Sequence, residues 1–440
     1  MQAALPALQA IPNLRPVILD NVTRMLHCKD PKYGGVIYGC PECGNTKLVG
    51  FSCHSRFCPS CGSKYNQERA IEMASKVINC PHRHLVFTID KRLRPYFRVD
   101  RAALGLLFTA VDITLRGWFD RAYIDDFWFQ RNNEVSRHRG KPNKKKKKHR
   151  RKKRSPYNLP SGMTNAPAVP GFLCVLHTFG RSLQWNPHIH CLCTEGGLCK
   201  DSSWKNVSYF NYAYLRKNFM SVLLSLLSKR FSVTLPKTGH YTYATFLSDR
   251  KLIREDDKDG FYVNAPPKQM DIKNTIKYIG RYLGRPVIAS SRIDSYDPIK
   301  DEVCYHYDRH EDEKRVDVKL SALEFAKLLI VHIPDENFKM LRYYGLYSTK
   351  TAHCEYVIKA ALATAFRSST ITQLRATTHY RNNMLLTFRI DPLTCEYCGH
   401  LMEPMIIYEY NNLPDSVDHM HKSIPFKEYL RIVGHYSSSS

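Results

Sequence analysis

The sequence predicts an α+β protein whose centre is a mainly antiparallel sheet with helices packed on it, preceded by a cysteine-rich module. Three observations carry this. Short β-branched and aromatic runs alternate with helical patterns through the middle of the chain. Two Cys-x2-Cys pairs lie close together near the N-terminus. The charge balance, 66 Lys+Arg against 40 Asp+Glu for a formal +26, is that of a chain that meets a polyanion, nucleic acid being the commonest.

The elements follow in order. Residues 84–89 (HLVFTI) form a short strand and residues 104–115 (LGLLFTAVDITL) a helix. Residues 172–179 (FLCVLHTF) and 187–194 (PHIHCLCT) are two strands joined by a turn over 180–186. Mixed order of this kind, with short connections between strands, gives an α+β domain. The chain divides into a zinc-binding module over 1–80, a catalytic domain over 81–290 interrupted by a basic insert over 131–170, and a helix-rich C-terminal region over 291–440 with one more Cys pair. The 440 residues suffice for two or three domains.

The N-terminus lacks the cationic start and unbroken apolar run of a secretory signal. Residues 219–227 reach only about half of the ~20 residues a membrane span needs. The expectation is a soluble cytoplasmic protein, nucleoid-associated and of bacterial type, without a membrane partner. Fifteen cysteines in a reducing compartment point to metal rather than disulfides. The densest charge run, residues 144–154, holds ten cations in eleven positions. Lys144, Lys145, Lys146, Arg150 and Arg151 are its candidate phosphate contacts. A solvated, partnerless loop is the plain alternative.

Cys40-x2-Cys43 and Cys58-x2-Cys61 sit in turns with Gly or Pro (PECG, CPSCG). Such turns let both thiolates of a pair face one ion, so the expectation is at least one structural Zn²⁺, held by all four. Cys28, Cys53 and His54 are left over. They could complete a second site, or Cys53 could compete for a place in the first. Cys395-x2-Cys398, followed by His400, has no partners that spacing identifies.

In a strand, residues i and i+2 project from one face. His188 and His190 therefore stand side by side while Ile189 faces the core, and two neutral imidazoles clamp a divalent ion, Mg²⁺ or Mn²⁺. Two other His-x-His triplets act as controls. His82-Arg83-His84 has a charged middle residue that is hard to bury, and His419-Met420-His421 lacks apolar flanks. Candidates for a third ligand are His177, on the preceding strand, and Gln184.

Residues 271–284 (DIKNTIKYIGRYLG) are the clearest helix pattern in the chain, with Asp271 as N-cap and Gly284 and Pro286 as the stop. Ile272, Ile276, Ile279 and Leu283 form one apolar stripe. At about 100° per residue, Tyr278 and Tyr282 fall off that stripe as i,i+4 neighbours beside Arg281 and Arg285. With 27 tyrosines in the chain, such pairs also arise by chance, and Tyr343 with Tyr347 is one given no role. Phenols beside guanidiniums on a polar face suit phosphate chemistry. Tyrosine attacks, and Arg281 and Arg285 clamp phosphate oxygens.

These segments, taken in order, resemble the rolling-circle transposases of the insertion-sequence ninety-one family. The likeness runs from about Met25 to Cys398, through CPECG, SCHSRFCPSCG, HLVFTID, LHTFGRSLQWNPHIHCLCTEGGL, TIKYIGRYLGRPVIASSRI and FKMLRYYGLYS. The resemblance implies an HUH-endonuclease fold (His-hydrophobic-His). It implies His188 and His190 as ligands of the catalytic metal and Tyr278 and Tyr282 as nucleophiles. It also implies 5′-phosphotyrosine intermediates, and single-stranded transposon ends and target DNA as partners. Two rival readings are a plasmid-type rolling-circle replication initiator or relaxase, and a non-catalytic zinc-containing DNA-binding protein.

Overall fold

The fold is described by a computed structural model covering all residues except 54, 56, 59–60, 63–76, 79, 139–167, 200, 202, 208, 265–286, 310–311, 349–380, 383–384, 386–388, 390, 411–420 and 426–440. Helices α1 (Leu5–Gln9) and α2 (Pro16–Leu26) lead into strands β1 (Gly34–Gly39) and β2 (Thr46–Gly50). Strand β3 (His82–Phe87) precedes helices α3 (Leu104–Phe119) and α4 (Arg121–His138). Strands β4 (Ala168–Phe179), β5 (Trp185–Cys199) and β6 (Trp204–Asn206) follow, then helices α5 (Tyr212–Thr234) and α6 (Tyr243–Asp256) and strand β7 (Val263–Asn264). The C-terminal part holds β8 (Ile293–Asp297), β9 (Glu302–Asp308), β10 (Arg315–Ser321), α7 (Ala322–Ile330), β11 (Leu341–Gly345), β12 (Glu403–Tyr410) and β13 (His421–Pro425).

The central sheet runs β11-β4-β5-β3-β7, with β6 added on β5, and its described pairings are all antiparallel. The predicted strands at 84–89, 172–179 and 187–194 and the helix at 104–115 are all present, the last three longer than expected. Alternation sorts the side chains. Leu85 and Phe87 of β3, Phe172, Cys174 and Leu176 of β4, and Ile189, Cys191 and Cys193 of β5 enter one core. Leu107, Phe108 and Val111 of α3 and Phe219, Leu223 and Leu227 of α5 fill the same core. Helix α3 is sandwiched between the sheet and α5, so apolar residues surround it rather than forming a single stripe. Residues 101–119 are long and apolar enough to cross a membrane, yet most of that length is buried inside the fold.

The opposite face of the sheet carries a smaller apolar patch, Val77, Leu173, Val175 and Leu192. By the same alternation it also carries His84, His177, His188 and His190.

Among the described residues after 290 strand predominates, with α7 as one clear helix. Val316, Val318 and Leu320 alternate along β10 and Val303 and Tyr305 along β9, a period of two. β8, β9 and β10 form their own sheet. Val303 and Tyr305 share a core with Ile18 and Val22 of α2 and with Phe325 and Leu329 of α7. The boundaries at 80 and 290 are crossed as well. β11 completes the edge of the central sheet on β4, and β12 pairs with β1 in a sheet ordered β13-β12-β1-β2. Gly345 ends β11 with φ +56°, where a Cβ would lie 1.8 Å from the Pro170 carbonyl oxygen, so only glycine fits that approach.

Candidate active site and cysteine clusters

Register builds the histidine site. His177 of β4 lies directly opposite His188 of β5, and Val175 opposite His190. Three imidazoles therefore share one patch of the face opposite the helical core, their ligating nitrogens all within 4.8 Å of one another. His177 and His190 are buried, and His188 is half-buried. The Nε2 atoms of His188 and His190 are 3.1 Å apart. Two nitrogens each 2.0–2.1 Å from one ion lie about 2.8–3.4 Å apart at right to tetrahedral angles, so the pair fits a shared divalent ion. His177, not Gln184, completes the patch. Gln184 is exposed in the turn between the strands.

The other ring nitrogens are tied down. His188 Nδ1 is 2.7 Å from the Asn186 carbonyl oxygen and donates to it, which leaves Nε2 unprotonated toward the patch. His190 Nδ1 is 3.1 Å from His84 Nε2, and the two rings lie nearly parallel. Burial lowers the pKa of His188 and pushes that of His84 down to about 3, so both rings are neutral at ordinary pH. The triplet 82–84, set aside in the sequence for its charged middle residue, thus supplies a partner to the site. Arg83 is buried after all, on the helix side of β3, because Glu195 of β5 meets it with N···O distances of 2.5 and 2.6 Å. His82 is buried too, its Nε2 2.6 Å from the Tyr347 hydroxyl. Burial raises that phenol well above its usual range, and Tyr347 is a packing residue.

Tyr278, Arg281, Tyr282 and Arg285 lie outside the described residues, as do Lys144, Lys145, Lys146, Arg150 and Arg151. The chain on either side of residues 265–286 is described. Asn264 pairs with Val86, which on its other side pairs with His190. Ile288 is buried in the same cluster as Leu183, which sits in the turn leading to His188.

The cysteines form two groups of four that divide the pairs differently from the expected single site. Cys58 and Cys61 join Cys28 and Cys53; Cys40 and Cys43 join Cys395 and Cys398. In the first group the sulfurs of Cys28 and Cys61, Cys53 and Cys61, and Cys28 and Cys58 are 3.4, 3.6 and 3.7 Å apart. In the second, Cys40–Cys398, Cys43–Cys395 and Cys43–Cys398 are 3.4, 3.5 and 3.4 Å apart. Four sulfurs at 2.3 Å from one zinc ion stand about 3.8 Å apart, close to both sets and far above a disulfide bond. Backbone N–H groups of Cys398 and Tyr397 aimed at Cys395 hold its thiol down to about 6. A third grouping, Asp294, His306 and Asp317, is exposed, with Arg315 3.1 Å from Asp294 and 2.7 Å from Asp317.

Family models match two parts of the chain. A family model described as "Transposase zinc-binding domain" matches residues 1–89, and one described as "Putative transposase" matches residues 171–354. The chain belongs to the insertion-sequence ninety-one family of transposases. It is 27% identical over 394 residues to the "Transposase for insertion sequence element IS801" of Pseudomonas savastanoi pv. phaseolicola, covering 88% of this chain and 83% of that one. It is 25% identical over 327 residues to "Putative transposase y4qJ" of Sinorhizobium fredii (strain NBRC 101917 / NGR234), covering 72% and 71% respectively. No solved structure matches.

In this transposase the zinc-binding match takes in Cys28, Cys53, Cys58 and Cys61 complete, and zinc suits their all-thiolate set. The transposase match opens on β4 and takes in His177, His188 and His190. As a transposase the chain binds DNA and breaks and joins it. Sequence reasoning missed His84 and the partners of Cys395 and Cys398. One signal for the latter was present: CPECGN at 40–45 and CEYCGH at 395–400 share the Cys-x2-Cys-Gly frame.

Proposed function

We propose that this transposase nicks and transfers single-stranded DNA through a 5′-phosphotyrosine intermediate, as rolling-circle transposition of the HUH type requires. The observation that carries the reading is the convergence of His177, His188 and His190 on one sheet face, with fixed outer nitrogens on His188 and His190. These three residues would hold the divalent ion, Mg²⁺ or Mn²⁺. Three imidazoles favour Mn²⁺, with oxygen ligands filling the remaining positions. The ion's contribution is Lewis-acid polarisation of the scissile phosphate.

Tyr278 and Tyr282 are the attacking groups, and Arg281 and Arg285 hold phosphate oxygens. A phenol is a weak nucleophile near neutrality, so it needs a phosphate already polarised and oriented. Its oxygen bonds to phosphorus as the bond to the neighbouring 3′ oxygen breaks, and that oxygen takes up a proton to leave as a 3′-OH. The phosphotyrosine bond conserves the energy for rejoining, and two tyrosines allow two strands to be held. Support comes from the flanks of residues 265–286. They enter beside β3, one strand from His190, and return at Ile288, in the apolar cluster of the turn before His188. The basic run 144–154 adds sequence-independent affinity, and the protein acts in the cytoplasm.

The test is a denaturing-gel shift with end-labelled single-stranded DNA. A covalent adduct is expected that maps to Tyr278 or Tyr282 by mass spectrometry and disappears in His188→Ala and His190→Ala variants that still bind DNA. An adduct on any other tyrosine, or one that persists in excess chelator, overturns the mechanism. Transfer of the held strand into a second DNA, rather than resealing alone, separates a transposase from a replication initiator.

A further inference from the structure

We propose that Cys40, Cys43, Cys395 and Cys398 hold a second zinc ion that clasps the C-terminal strands onto the N-terminal module. The family's zinc-binding match ends at residue 89, far short of Cys395. Two of the four ligands therefore lie outside any region assigned to zinc.

The two halves of the site are built alike. In the first, the Cys40 N–H donates to the Asn45 carbonyl at 2.8 Å and the Gly44 N–H to the Cys40 carbonyl at 3.0 Å. In the second, the Cys395 N–H donates to the His400 carbonyl at 2.8 Å and the Gly399 N–H to the Cys395 carbonyl at 3.0 Å. Gly44 and Gly399 take φ of +71° and +75°, which closes each turn behind its second cysteine. Each turn thus folds its two thiols to one side, and together they supply four sulfurs to one centre.

Nothing else accounts for the four sulfurs. They are not bonded as disulfides. Apolar burial is incomplete, since Cys43 and Cys398 are exposed while Cys40 and Cys395 are buried. Four thiols in mutual contact with two at the surface is a poor hydrophobic core and a good thiolate cage. The ligands come from positions 352 apart, on either side of the whole nuclease domain. The β1–β12 pairing starts beside them, at Gly39 opposite Glu403, so the ion would pin the end of that pair.

The experiment counts zinc released from full-length protein by a thiol-specific mercurial, which leaves metal on histidines uncounted. Two equivalents per chain are expected for the wild type and one for Cys395→Ser/Cys398→Ser. Amide exchange over residues 403–410 should speed up in that variant while β4 and β5 keep their protection. One equivalent in the wild type, or two in the serine variant, overturns the proposal. Should the serine variant aggregate, Cys398→His decides. Loaded with Co²⁺, it should shift the thiolate absorption of half the bound metal, and an unchanged spectrum overturns the clasp.

Discussion

His84 gives the sharpest quantitative prediction about the histidine patch. Its Nε2 lies 3.1 Å from His190 Nδ1, and burial keeps its ring neutral, so it accepts the His190 Nδ1–H and leaves the proton off His190 Nε2, the ligating nitrogen. His84 is a positioning residue and touches no reacting atom. His84→Leu strands that N–H in a buried place, at about 1–3 kcal/mol. Loss of such an outer partner weakens metal affinity roughly 10–100-fold, about 1.4–2.7 kcal/mol at 1.36 kcal/mol per tenfold, so the two routes agree. His84→Gln returns an acceptor oxygen and should recover affinity to within about threefold. The assay is a Mn²⁺ titration followed by the resonance of the free ion, on protein whose thermal unfolding matches the wild type. Mn²⁺ binding by His84→Leu within twofold of the wild type would refute the reasoning. So would a Gln variant no better than Leu, because shape rather than hydrogen bonding would then be the cause.

Two further outcomes follow from the same sheet and its surroundings. Glu195→Gln leaves the Arg83 guanidinium buried without its counter-ion, and breaking a buried pair costs about 3–5 kcal/mol. That is a fall of roughly 6–20 °C in Tm for a domain of this size, readable by calorimetry, and a fall below about 3 °C would show that the pair is not a net stabiliser. His332 is buried between Thr178 and the Leu183 carbonyl, 3.0 and 2.9 Å away, and burial lowers its pKa from 6.5 to about 4. The unfolded chain takes up this proton first. The neutral ring's contribution is therefore intact above about 6.5 and is lost as pH falls from there toward 4. Between pH 7.5 and 5 the loss is about 2 kcal/mol. In urea unfolding, His332→Gln should show a smaller acid-induced loss by that amount, and an identical pH profile would refute it.

Local pattern made the middle of the fold legible. The alternation in FLCVLHTF and PHIHCLCT fixed two strands and which face His188 and His190 share, because a period of two is a property of neighbouring residues. What failed needed partners far along the chain. Arg83 looked unburiable because its counter-charge, Glu195, is 112 positions away and only strand register brings them together. That single misreading hid His84. The cysteine pairs were grouped by proximity in sequence, whereas a Cys-x2-Cys turn presents two sulfurs and says nothing of which other turn it meets. The strands among the described residues after 290 were passed over for another reason. Residues 315–320 (RVDVKL) alternate charged and apolar, the period of a half-exposed strand, over a run too short to stand out beside the helical patterns.

The order of the small sheet, β13-β12-β1-β2, bears on how the protein is made. β1 is an inner strand whose second neighbour, β12, is synthesised long after it. Until residues 403–409 emerge to meet Gly34–Gly39, β1 offers an open edge of unmet N–H and C=O groups, the kind that pairs with whatever strand is nearest. Early-made and late-made segments must therefore find each other across a finished nuclease domain. A translation product stopped short of residues 403–409 would carry an adhesive N-terminal sheet.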